Sequence, residues 1–163
     1  MKKNLGKLAL VLMVLFVSAG LMSCDAFKDE ESLSVLGTWG NGTMEITSDT
    51  YSVDMGGSWG EWNYSADIIS FDNSSWNAGE EGEGSYGYMV LKFTSHSDDD
   101  TAAATVGKYT VFRWKNLTTV DGVTAMETSE GYGDYYDNAD DALENITAAN
   151  GYFNFYSATV LDE

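Results

Sequence analysis

Few side chains in this 163-residue sequence are equipped for covalent chemistry: it has one histidine, one cysteine and 26 carboxylates. His96 stands beside Asp98-Asp99-Asp100, and any Ser-His-Asp arrangement would have to use it. An acidic loop is a poor scaffold for the locked geometry a triad needs, so His96 reads as a surface-loop residue. One histidine and one cysteine cannot assemble a zinc site. The carboxylate clusters Glu80-Glu81-Glu83, Asp98-Asp99-Asp100 and Asp134-Asp137-Asp140-Asp141 lack the Asp-x-Asp-x-Asp-Gly spacing that wraps calcium. They read as solvated charge. With so many carboxylates, a pair at glycosidase separation carries no information. Gly79, Gly82 and Gly84 alternate with glutamates, the wrong charge for cradling phosphate. The expectation is a non-catalytic protein with no cofactor and no metal.

Aromatics are the stronger signal, with five Trp and ten Tyr. Trp59, Trp62, Trp76, Tyr132, Tyr135 and Tyr136 fall in or beside glycine-rich turns and loops, near Asn and Asp. A ring with an apolar face and polar neighbours suits a sugar or a small amphipathic ligand, so these six are the candidate ligand-binding residues. Trp39 and Trp114 are assigned to the core.

Lys2, Lys3 and Lys7 precede an apolar run, Leu8 to Val17, that is too short for a spanning helix and is broken by Ser18, Ala19 and Gly20. Leu21-Met22-Ser23-Cys24 follows, and acidic sequence begins directly after it. This layout resembles the signal and lipobox of bacterial lipoproteins. The resemblance implies cleavage before Cys24, lipidation of its sulfur, and a protein anchored to a membrane of the bacterial cell envelope, outer membrane or cell surface. Residues 1–23 are then the signal peptide, 24–34 the lipidated cysteine and acidic tether, and 35–163 the folded domain. Lys28-Asp29-Glu30-Glu31 resembles a surface-export tag of Bacteroidetes-type lipoproteins. Beyond the signal, five basic residues face 26 acidic ones, a formal charge of −21. Such a field repels nucleic acid and favours cationic partners or plain solubility. With no second cysteine there is no internal disulfide, so stability must come from burial and strand pairing.

These elements must be positioned by a β-rich chain. Short β-favouring runs punctuated by Gly, Asn, Asp and Ser predict strands near 36–40, 43–47, 51–55, 61–71, 86–94, 107–116, 122–128 and 152–160. Ser48-Asp49 and Asp121-Gly122 read as hairpin turns, and 72–85 and 95–106 as long acidic loops. Alternation sets Met89, Leu91 and Phe93 against Tyr86, Tyr88, Val90 and Lys92. It sets Phe112 and Trp114 against Tyr109, Val111, Arg113 and Lys115, and Phe153 and Phe155 against Tyr152, Asn154 and Tyr156. One helix of about three turns is predicted before the last strand. Asp137 or Asn138 caps it, Ala139, Ala142, Leu143, Ile146 and Ala149 form its apolar stripe, and Asn150-Gly151 stops it. The fold class is all-β: an antiparallel meander of about eight strands, closed or nearly closed.

Gly37-Thr38-Trp39 opening the first strand, with about eight strands and a single helix, resembles a lipocalin-like barrel. The resemblance implies that Trp39 closes the barrel base and that Arg113, the chain's only arginine, stacks across it. It also implies a small apolar or amphipathic ligand in the barrel. The expected function is a lipid-anchored, non-catalytic binding module. The alternative is a surface interaction protein whose acidic face binds a cationic protein or inhibits a basic enzyme.

Overall fold

The computed structural model describes residues 32–56, 62–74, 85–131 and 133–163. The segment 1–23 read as a signal peptide, Cys24, Lys28-Asp29-Glu30-Glu31 and the candidate ligand residues Trp59, Trp76 and Tyr132 lie outside the described residues. Leu33–Glu163 forms one compact unit.

Its strands are β1 (Gly37–Trp39), β2 (Met44–Ile46), β3 (Thr50–Asp54), β4 (Asn63–Asp72), β5 (Ser85–His96), β6 (Tyr109–Val120), β7 (Val123–Glu130) and β8 (Ser157–Val160). Each pairs antiparallel with the next, giving an eight-stranded up-and-down sheet. The ends meet. Gly40 N–H donates to the Val160 carbonyl at 2.8 Å, Asp162 N–H donates to the Thr38 carbonyl at 2.8 Å, and Trp39 bridges Leu161. Closure removes the exposed edges that an open sheet must protect. It is incomplete at one corner, because the β7–β8 ladder ends at Thr128–Ser157 and β7 runs two residues further. Asp121-Gly122 makes the two-residue β6–β7 turn with both residues at positive φ (52° and 84°), the geometry that matches strand twist.

Strand alternation divides the apolar residues between two cores. Val35, Trp39, Ile46, Tyr51, Met89, Leu91, Phe112, Trp114 and Met126 fill the barrel interior. The other face of β5 and β6 is covered by α2 (Ala139–Asn145), which lies against the outside of the sheet. There Val111, Ala142, Ile146 and Phe153 form a second core, rimmed by Tyr88, Tyr109, Tyr136, Tyr152 and Tyr156. The Tyr-rich faces of these strands are therefore neither bare surface nor barrel interior. Asn138 caps α2, its Oδ1 accepting from Asp141 N–H at 2.8 Å. The helix is shorter than expected at seven residues and passes into a 3-10 turn, Ala148–Asn150, that ends at Gly151 in the left-handed conformation. Ala142 and Ile146 are buried, whereas Leu143 of the expected stripe is exposed.

Several expectations are corrected. Leu33 is buried in the inner core, so the fold begins within the segment read as tether. Residues 99–105, read as loop, form the short helix α1, with Asp98 Oδ1 accepting from Thr101 N–H at 2.7 Å and Asp99 and Asp100 in the positive first turn. The expected strand 152–160 is extended only from Ser157. Phe153 adopts φ = 60°, which breaks the alternation: its ring is buried in the outer core while Phe155 is 88% exposed.

Arg113 is also placed differently. Alternation along β6 sends Phe112 and Trp114 inward to pack with Trp39, and sends Arg113 to the opposite face. Its guanidinium carbon lies 4.2 Å from the Phe153 ring centroid, so the cation–π contact forms in the outer core rather than across Trp39. Trp39 is fully buried and donates Nε1–H to the Val35 carbonyl at 3.0 Å.

Candidate functional site: a carboxylate at the mouth of the barrel

Inward positions along β3 carry Tyr51 and Val53, and those along β4 carry Tyr64 and Ala66. On β7 the same face carries Met126, Thr128 and Glu130. Glu130 is the last residue of β7, past the end of β8, so its side chain reaches the interior where the wall is short. Both tyrosine hydroxyls donate to its Oε1, Tyr51 at 2.6 Å and Tyr64 at 2.5 Å. Glu130 is 79 and 66 positions from Tyr51 and Tyr64, which stand on the paired strands β3 and β4, and curling of the sheet into a barrel brings it to them.

Burial pushes the Tyr51 and Tyr64 phenols well above the usual tyrosine range, and the Glu130 charge beside them raises them further. A phenolate there would be desolvated and would face a like charge. Both hydroxyls therefore remain donors, and neither is poised as a base or nucleophile near neutral pH.

An aromatic shell holds this cluster. Tyr51 packs against Phe112 at 5.1 Å between centroids and against Tyr64 at 6.0 Å. Tyr64 stacks parallel to His96 at 5.9 Å, and Trp62 meets the same imidazole edge-on at 4.4 Å. His96 is thus a half-buried residue at the end of β5 rather than a free loop side chain, and its Nδ1 accepts from Asp98 N–H at 3.0 Å. This contact ties the barrel mouth to the N-terminus of α1.

Above the cluster opens a cavity of about 720 Å³, within the range of small-molecule sites. It is lined by the aromatic residues Trp39, Tyr51, Trp62 and Tyr64, by Met44, Val53 and Met55, by the polar residues Thr43, Thr128 and Ser129, and by the 151–159 segment leading into β8. Glu130 lines it too, and is the one carboxylate among the described lining residues.

Of the aromatic residues singled out by their loop settings, Trp62 lines this cavity. Tyr135 packs edge-on against Phe93 at 5.5 Å and lines a small cleft behind Glu130, shared with His96 and Tyr64. Tyr136 belongs to the outer core, bridged through its backbone to Tyr109, and does not join the cavity. The sequence reading passed over Tyr51, Tyr64 and Glu130. The alternation of Tyr51 with Val53 and of Tyr64 with Ala66 was available as a signal for inward-facing phenols. Nothing local separated Glu130 from the other carboxylates. Among the described residues, no group of three or more His, Cys, Asp or Glu could hold a metal ion, and no helix is long and apolar enough to cross a membrane.

No family model matches the chain, and neither a curated protein nor a solved structure matches it.

Proposed function

We propose that this protein is a lipid-anchored lipoprotein of the bacterial cell envelope whose barrel holds a small amphipathic ligand in its mouth. The observation that carries the reading is the cavity of about 720 Å³ whose aromatic and aliphatic walls converge on one hydrogen-bonded carboxylate. The apolar part of the walls supplies affinity through removal of surface from water, and the carboxylate orients the ligand. The anchor reading rests on the lysines, apolar run and Leu21-Met22-Ser23-Cys24 at the start of the chain. An acidic exterior keeps such a domain soluble beside an anionic membrane.

Titration of the full-length chain with a neutral apolar fluorophore such as N-phenyl-1-naphthylamine tests the reading. The protein is expected to enhance the emission saturably at one site. Thr128→Phe, which pushes a ring into the cavity from β7, is expected to weaken the titration severalfold while circular dichroism stays unchanged. Equal titration of a folded Thr128→Phe variant would place the fluorophore elsewhere and overturn the reading.

A further inference from the structure

We infer that the ligand of this cavity carries a cationic head, an amine or ammonium, seated against Glu130; the inference rests on the binding reading above and names the ligand class of the same site. Three observations converge on it.

The first is charge. Glu130 lines the cavity, and no Lys or Arg is among the described lining residues. Arg113 is not one of them: its guanidinium stacks on Phe153. An acidic head brought against Glu130 would meet a like charge in a partly desolvated setting, a strongly unfavourable arrangement. A neutral tail would leave the carboxylate facing it with only part of its hydrogen-bonding capacity used. A cation satisfies it.

The second is how the carboxylate is held. Both phenol hydroxyls converge on Oε1, one of the two oxygens, leaving acceptor capacity on the carboxylate. The phenols are fixed by barrel packing and stay protonated, so the carboxylate is pre-oriented by two O–H donors, and no Lys or Arg among the described residues forms an ion pair with it. Pre-orientation lowers the cost of capturing a charged partner.

The third is the ring set. Half-buried Trp62 and, beside it, Tyr64 line the same space, and aromatic rings attract ammonium groups through the ring quadrupole. Carboxylate and rings together are selective for a cation that also presents an apolar body. The chain's formal charge of −18 raises the local concentration of such molecules at the mouth.

The test compares three probes of equal tail length, octylammonium, octanol and octanoate, titrated calorimetrically into the full-length protein held in nanodiscs, with empty nanodiscs subtracted. Octylammonium is expected to bind roughly tenfold or more tightly than octanol, the size of one charge-assisted contact, with octanoate weakest. Glu130→Gln keeps an acceptor for the tyrosines and is expected to bring octylammonium affinity down to about that of octanol for the same variant. If octanol or octanoate binds as tightly as octylammonium to the wild-type protein, the cationic-head assignment is overturned while the binding reading survives. If none of the three binds, the binding reading itself fails. The wild-type comparison alone is decisive should Glu130→Gln fold poorly.

Discussion

The Tyr51–Glu130–Tyr64 cluster makes a quantitative prediction about stability. Each phenol donates to a charged acceptor inside the barrel wall, and such bonds contribute about 1.5–3 kcal/mol in general. Because Glu130 is half-buried, the lower part of that range applies, so Tyr51→Phe and Tyr64→Phe are each expected to lose about 1.5–2 kcal/mol. Glu130→Leu strands two buried hydroxyls at once and is expected to cost about 2–4 kcal/mol, more than either tyrosine change. The tyrosine pair shares one acceptor oxygen, so the double variant should depart from additivity. Urea unfolding at neutral pH measures all four. The pH arm has a definite sign. Both phenols titrate in the folded protein well above the ordinary 10.0, so the folded state keeps protons that the unfolded chain releases. Stability from these groups is complete below pH 10.0 and declines as pH rises toward the folded values, by up to about 1.4 kcal/mol per pH unit per group. Tyr51→Phe/Tyr64→Phe should flatten that decline. A double variant that unfolds in base as steeply as the wild type, with single variants of unchanged stability, would refute the cluster.

Other predictions follow from packing. Gly87→Ala would drive a Cβ into the Asp72 carbonyl oxygen and the Trp114 ring, both held by the sheet and core, so a loss of about 1–3 kcal/mol is expected in thermal unfolding. Phe153→Ala should cost about 3–5 kcal/mol by emptying the outer core and uncovering Arg113, with Phe153→Leu recovering part of it in the same assay. Phe155→Ser, at a side chain 88% exposed, should stay within about 0.5 kcal/mol of wild type by urea unfolding.

The residues that failed to announce themselves did so for physical reasons. Period-two alternation assigned Met89, Leu91, Phe93, Phe112 and Trp114 to the interior, and the Asp121-Gly122 turn was legible because few other residues accept its backbone angles. The end of β8 was not, because Tyr152 to Tyr156 has a strand's alternation and only tertiary contact with Arg113 and Val111 pulls Phe153 out of it. Helix α1 is seven residues long and its acidic, alanine-rich sequence also suits a loop; the cap at Asp98 and packing on β5 decide the matter. The site was the least legible part. Glu130 differs from other glutamates only in sitting beyond the last β7–β8 pair, a fact of register between strands separated by a 26-residue connection. Loop-borne aromatics drew attention to Trp62, yet the phenols that grip the carboxylate come from the strands.

Native mass spectrometry of the protein, purified gently from the cells that make it, tests the central proposal that the barrel mouth holds a small amphipathic ligand. The account predicts a discrete added mass that survives high salt, as an occupant held by apolar burial should, and that is lost from the Thr128→Phe variant. A bare protein mass, or an added mass that remains on folded Thr128→Phe, would contradict it.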